Sequence, residues 1–163
     1  WGDKKITKEE FAALMSKKND DYLSHIAEMD AQEILPDVPK VLDYLTQEKQ
    51  AISLGSASKN ARMILKKVHL INQFDVIVDG NDVIKGKPNP EVFLKAAKEL
   101  NTAAKDCIVF EDSVAGIQAA NAANMISIGI GDKEILHEAD YIFNDFTEIG
   151  VGFIKELIKE KKM

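Results

Sequence analysis

The sequence predicts an α/β fold, a Rossmann-like parallel sheet with helices on both faces, preceded by a helical stretch. Three observations predict it. From about residue 51 onward, apolar runs of strand length alternate with longer helix-periodic stretches. Each of the first three runs is followed by small or polar residues. The first 30 or so residues are helical in pattern, with no strand among them.

Thr7-Lys8-Glu9-Glu10 reads as a capping box, opening a helix with Phe11, Leu14 and Met15 on one side. A second helical stretch carries Tyr22, Leu23 and Ile26. Pro36 and Pro39 punctuate the chain, and Val38, Val41, Leu42 and Leu45 give the next helix an apolar stripe. Ala51-Ile52-Ser53-Leu54 is the first strand, and a helix with Ala61, Ile64 and Leu65 begins near Ser58. Phe74-Asp75-Val76-Ile77-Val78 is the second strand. Asn89 and Pro90 then supply an N-cap and a first-turn proline for a helix bearing Phe93, Ala96, Ala97 and Leu100. Cys107-Ile108-Val109-Phe110 is the third strand, followed by an alanine-rich helix over about 114–123. Residues 125–130 form a fourth strand and 141–143 a short fifth, before a last helix with Phe153, Ile154, Leu157 and Ile158.

Composition narrows the function. The chain is 45% hydrophobic and 29% charged, as for a globular chain with one main core. Its net charge of −6 speaks against a nucleic-acid partner, and the alternating signs over 155–162 read as a solvated helix face. No apolar run approaches the roughly 20 residues needed to span a bilayer. With no signal-peptide core at the start, the expected location is cytoplasmic, with no membrane partner. One cysteine, Cys107, leaves no internal disulfide or multi-cysteine metal site, and the three histidines lack ligand spacing.

Parallel sheets present their ligand sites at the carboxyl ends of the strands, so the residues directly after each strand carry the functional expectation. After the first strand, Gly55-Ser56-Ala57-Ser58-Lys59-Asn60 offers small residues that let backbone N–H groups approach an anion, and a serine hydroxyl. A tight turn with Ser58 as N-cap is the plainer alternative. After the second, Lys87 is restrained by Pro88 ahead of a helix and can neutralise phosphate charge, although an exposed loop lysine is the ordinary reading of any one lysine. After the third, Glu111 and Asp112 are adjacent carboxylates whose repulsion a hard cation such as Mg²⁺ would relieve; Asp112 as a helix cap is the alternative, but Ser113 is available for that. Anion donors, a lysine and an acidic pair on successive strands are together what phosphoryl transfer requires.

These residues resemble a known family. Ser56, Lys87 and Glu111-Asp112 look like the second, third and fourth motifs of the haloacid dehalogenase-like phosphotransferases. Leu54-Gly55-Ser56-Ala57-Ser58-Lys59-Asn60, Gly86-Lys87-Pro88-Asn89-Pro90 and Phe110-Glu111-Asp112-Ser113-Val114-Ala115-Gly116-Ile117 are similar to the β-phosphoglucomutase branch, as is Lys17-Lys18-Asn19-Asp20-Asp21-Tyr22, which resembles part of its helical cap. The resemblance implies a division into 1–33, the remaining part of a cap, and 34–163, a core lacking its first strand. It implies that Ser56, the Ala57 N–H and Lys87 hold the transferred phosphoryl group. Ser58, Lys59 and Asn60 would hold a sugar's other phosphate, and Lys18 would meet the substrate from the cap. Asp112 would bind Mg²⁺ with support from Glu111. The implied partner is a small-molecule sugar phosphate, and the full-length enzyme is expected to be a monomer.

One departure stands out. The family's first motif, a strand ending in two aspartates one residue apart, is not found here. Phe74-Asp75-Val76-Ile77-Val78-Asp79-Gly80-Asn81-Asp82 has the wrong spacing and place. Together with Trp1 as first residue, this gives the expectation of a truncated chain, inactive and unstable by itself. The expected parent activity is interconversion of β-glucose 1-phosphate and glucose 6-phosphate through an aspartyl phosphate. A sugar-phosphate phosphatase of the same superfamily is the first alternative, and a non-catalytic fragment binding Mg²⁺ or phosphate the second.

Overall fold

Parallel pairing organises every strand of the structure, a computed structural model that describes residues 6–161. The helices are α1 (Lys8–Glu28), α2 (Val38–Gln47), α3 (Ala61–Lys67), α4 (Glu91–Glu99), α5 (Val114–Ala122) and α6 (Val151–Lys161). The strands are β1 (Ser53–Gly55), β2 (Val76–Val78), β3 (Ile108–Glu111), β4 (Ile126–Ile130) and β5 (Tyr141–Phe143).

The strands form two ladders. β1 pairs with β2, and β3, β4 and β5 pair in that order. Among the described residues no strand pairs with the other edge of β1 or of β3. The ladders nonetheless share a core, because Val78 of β2 and Val109 of β3 pack with Val92, Phe93, Ala96 and Ala97 of α4 and Ala119 and Ala120 of α5. The residue after Val109 points the other way, as strand periodicity requires. Phe110 joins Val41 of α2, Ile154 of α6, Ile130 and Phe143 in a second cluster on the opposite face. Helices therefore cover both faces, as the sequence predicts.

Local chemistry sets the helix ends. At the start of α1, Thr7 N–H donates to Glu10 Oε2 at 2.8 Å and Glu10 N–H to Thr7 Oγ1 at 3.1 Å, the expected capping box. Helices α2 to α5 all finish in one manner. Lys49, His69, Asn101 and Asn124 take positive φ of 54–60°. The next N–H then reaches back five residues, from Gln50 to Leu45, Leu70 to Leu65, Thr102 to Ala97 and Met125 to Ala120. His69 is thereby a helix terminator.

Three expectations are corrected. The two N-terminal helical stretches are one continuous helix of 21 residues, α1, since Asn19-Asp20-Asp21 lies on exposed turns where no apolar side chain is required. The helix expected near Ser58 starts at Ala61, because the Ser56 and Ser58 hydroxyls capture backbone N–H groups in a preceding turn. The start of α4 falls one residue later, with Pro90 at the cap position, although Asn89 Oδ1 still accepts from Glu91 N–H at 3.1 Å. Helix α1 leans on α3, with Ile26 fully buried and Lys67 Nζ donating to Ala27 O at 2.8 Å. Its stripe of Phe11, Leu14, Met15 and Tyr22 remains 40–59% exposed.

Candidate active site

Three segments meet where β1 and β3 end. Gly55 is the last residue of β1, and Ser56 N–H continues the ladder by donating to Val78 O at 2.9 Å. The chain then coils through 56–60. Ser58 N–H donates to Ser56 Oγ and Asn60 N–H to Ser58 Oγ, each at 3.1 Å. Among the described residues, the N–H groups of Ala57 and Lys59 have no protein acceptor. Two free amides and the Ser56 hydroxyl proton within the four residues 56–59 are a group of donors of the kind that accommodates anions. Helix α3 has seven residues and begins after the turn, so the turn, more than a helix dipole, supplies the donors.

Lys87 joins the two ladders. Its ammonium donates to Gly55 O of β1 at 3.1 Å and to Glu111 Oε2 of β3 at 2.8 Å, and lies 4.7 Å from the centroid of the Phe93 ring. The side chains of Lys87 and Glu111 are only 11% and 9% exposed. An ammonium has three donors, and two are occupied here, so one N–H remains for a ligand at the strand ends. Lys85, two residues upstream, is placed differently. Lys85 is exposed, and its backbone N–H, with that of Ile84, is held by the Glu91 carboxylate at 2.9 and 2.8 Å. Those two backbone donors hold the Glu91 pKa below the usual carboxylate range.

The acidic pair divides its work. Glu111 accepts from Lys87 through Oε2 and from the Ser113 hydroxyl through Oε1 at 2.5 Å. Ser113 Oγ in turn caps α5 by accepting from Gly116 N–H at 3.1 Å. Gly116 is required for this packing, because a Cβ there would lie 2.0 Å from Glu111 Cδ. Asp112 is exposed and has no protein partner among the described residues. It thus carries an uncommitted carboxylate beside a neutralised one. Among the described residues no three acidic, histidine or cysteine side chains gather to hold a metal by themselves. One free carboxylate completed by a substrate's phosphate oxygens and water is nonetheless a donor set that suits Mg²⁺.

The structure therefore brings Ser56, Ala57, Ser58, Lys59, Lys87 and Glu111 together around the ends of β1 and β3, with Asp112 following directly. The Asn60 N–H is spent inside the turn. Lys18 is exposed on α1, and no contact joins it to these residues among those described.

Sequence reasoning missed the support beneath the 56–60 turn. Asp79, at the end of β2, is 1% exposed and pairs with Arg62. Arg62 also donates to Asp82 Oδ2 at 3.0 Å and to Ile77 O at 2.6 Å. Hydrogen bonding to Arg62 raises its pKa, chiefly through Asp82. The Asp79 N–H and then Arg62 depress that of Asp82. A signal was present, since Arg62 is the only arginine in a lysine-rich chain, and a guanidinium serves where fixed, forked pairing is needed.

Known proteins share the family and the fold of this chain. The haloacid dehalogenase-like hydrolase family pattern matches residues 3–124. A β-phosphoglucomutase of Bacillus subtilis (strain 168) is 35% identical over 152 residues, covering 93% of this chain and 67% of that protein. A phosphorylated carbohydrates phosphatase of Thermotoga maritima is 30% identical over 130 residues, covering 76% of this chain and 60% of the relative. The chain thus spans about two thirds of the length of these relatives. The crystal structure of a β-phosphoglucomutase from Clostridium difficile superposes with a TM-score of 0.87 at 36% identity, over 95% of this chain and 70% of that one. Family pattern, fold and strand-end chemistry coincide: the chain belongs to the haloacid dehalogenase-like hydrolase family.

Proposed function

We propose that the strand ends form the phosphoryl-holding half of a sugar-phosphate phosphomutase that interconverts β-glucose 1-phosphate and glucose 6-phosphate. The observation that carries this reading is the position of Lys87 Nζ, bonded at once to β1 and to Glu111 of β3, with a third donor free and two unpaired amides nearby. The Ser56 hydroxyl, the Ala57 and Lys59 N–H groups and Lys87 would bind the equatorial oxygens of the phosphoryl group, where negative charge is spread during transfer. Glu111 holds Lys87 in place. Asp112 would hold Mg²⁺, which when bound supplies charge neutralisation for the phosphoryl oxygens.

The edges of β1 and β3 that no described strand pairs with bear on where the nucleophile belongs. A parallel strand between β1 and β3 would pair with both edges and place its last residues beside Lys87, so we assign the acceptor aspartate of the family's first motif to that gap. The division into 1–33, part of a cap over the site, and 34–163, the core, is proposed for the chain, with 1–5 and 162–163 lying outside the described residues; Lys18 would then face substrate. A cytoplasmic location and a monomeric full-length enzyme stand as parts of the same proposal.

A sugar-phosphate phosphatase is the second reading, supported by the 30% identical carbohydrate phosphatase. Incubation of the purified natural protein with β-glucose 1-phosphate and Mg²⁺, followed by ³¹P NMR, separates the readings. Glucose 6-phosphate is expected. Free phosphate would replace the mutase with the phosphatase. No conversion of any sugar phosphate, with phosphate binding retained, would support a non-catalytic binding module.

A further inference from the structure

We propose that Arg62, Asp79, Gly80 and Asn81 act as a positioning clamp that presets the donor geometry of the 56–60 turn; the proposal rests on the phosphate-holding role assigned to that turn. Two consecutive carbonyls on the side of the turn facing β2 are held by the segment after that strand. Gly80 N–H donates to Ser58 O at 3.2 Å, and Asn81 Nδ2 donates to Lys59 O at 2.9 Å. The preceding carbonyl, Ala57 O, packs so closely that a Cβ on Gly80 would stand 2.4 Å from it. In a trans peptide the C=O and the following N–H point in opposite directions. Holding Ser58 O toward β2 therefore turns the Lys59 N–H, one of the two uncommitted amides, away from β2.

The clamp is itself rigidly braced. Asp79 Oδ1 accepts from Asn81 N–H at 2.8 Å and from Asn81 Nδ2 at 3.0 Å, while Oδ2 receives Arg62. The same guanidinium reaches Asp82 and Ile77 O, and Asp82 Oδ2 accepts from Asp79 N–H at 2.9 Å. Arg62 sits in α3, immediately after the turn, so the network ties the exit of the turn to the end of β2. Its entry is tied to the same strand through Ser56 N–H and Val78 O. Neither Arg62 nor Asp79 has a contact with Lys87, Glu111 or Asp112 among the described residues. Both act through the turn.

Electrostatics and positioning predict opposite signs for one substitution, which makes the idea testable. Asp79→Asn removes a negative charge near the anion site, so Coulomb's law alone predicts tighter phosphate binding. It also places an NH₂ or a weaker acceptor against Arg62, so a clamp predicts weaker binding. The readout is the dissociation constant of inorganic phosphate, followed through the Ala57 and Lys59 amide shifts by NMR, with melting temperature measured in parallel. We expect Asp79→Asn to weaken phosphate binding about tenfold, as misplacement of a binding group does. Asn81→Ala, a neutral change on an exposed residue, is expected to weaken it about threefold and serves alone if Asp79→Asn does not fold. An unchanged or tighter phosphate constant in the folded variants, with only the melt shifted, would overturn the clamp and leave a purely structural turn. Absence of any shift at Ala57 and Lys59 in the unsubstituted protein would instead overturn the phosphate-holding role itself, and the clamp's function with it.

Discussion

Replacing Lys87 by alanine tests the centre of the site most directly. The change deletes the 2.8 Å ion pair to Glu111, the 3.1 Å bond to Gly55 O and the contact with the Phe93 face. Removing one member of a buried ion pair costs about 3–5 kcal/mol, mostly because the surviving charge is left without a partner. Glu111 keeps its bond from Ser113 and is 9% exposed, which places the cost near the lower end, about 3 kcal/mol. With a urea m-value of about 2 kcal/mol/M, the unfolding midpoint falls by about 1.5 M. Glu111→Ala should destabilise for the reciprocal reason, and the double variant by less than the sum, with a coupling of about 2 kcal/mol. The assay is urea unfolding of the four proteins of this cycle, with equal m-values as the check on two-state behaviour. Lys87→Ala should also raise the phosphate dissociation constant at least about tenfold, the worth of one charge-assisted hydrogen bond. Additivity within about 0.5 kcal/mol, or unaltered phosphate affinity, would refute the placement of Lys87 as bridge and donor.

Gly116→Ala should cost about 1–3 kcal/mol in urea unfolding, since its Cβ requires the space that Glu111 fills, and should loosen phosphate binding by releasing Lys87. Asp112→Asn should leave the unfolding midpoint within about 0.5 kcal/mol, because its side chain is exposed and unpartnered, while weakening Mg²⁺ binding measured by calorimetry in the presence of phosphate. Asp82, whose folded pKa is depressed by the Asp79 N–H and Arg62, contributes stability that is present above its unfolded value of about 4 and is lost as pH falls through the lower folded value. Thermal melts of the natural and Asp82→Asn proteins should therefore differ at pH 6 and approach each other as pH falls below about 4 through the folded value; a constant difference across that range would contradict the assignment.

The sequence exposed what is written locally. Apolar runs located all five strands to within one or two residues, because a strand flanked by polar loops needs no knowledge of its partner. Precise ends escaped, since β1 and β2 take their limits from each other's register, Ser53 opposite Val76 through Gly55 opposite Val78. The gathering of Ser56, Lys87 and Glu111 was legible because Ser56 and Lys87 lie in the segments after β1 and β2 and Glu111 ends β3 of a parallel sheet. Their division of labour was not. That Glu111 serves Lys87 while Asp112 stays free depends on Gly116 making room one helical turn later. The Arg62–Asp79 pair spans 17 residues and depends on how α3 folds back over the end of β2, information no local pattern holds. Joining the N-terminal helical stretches into one α1 likewise depended on exposure, which leaves polar residues free to continue a helix.

The division of the strands into two ladders has a consequence for cooperativity. In an unbroken sheet each strand hands its order to the next through a row of backbone hydrogen bonds. Among the described residues that row does not run from β1 to β3, and the two ladders meet there through the packing of α4 and α5 and through the Lys87 ammonium. Any anion that draws on Lys87 therefore acts on a group that also touches the ends of both β1 and β3.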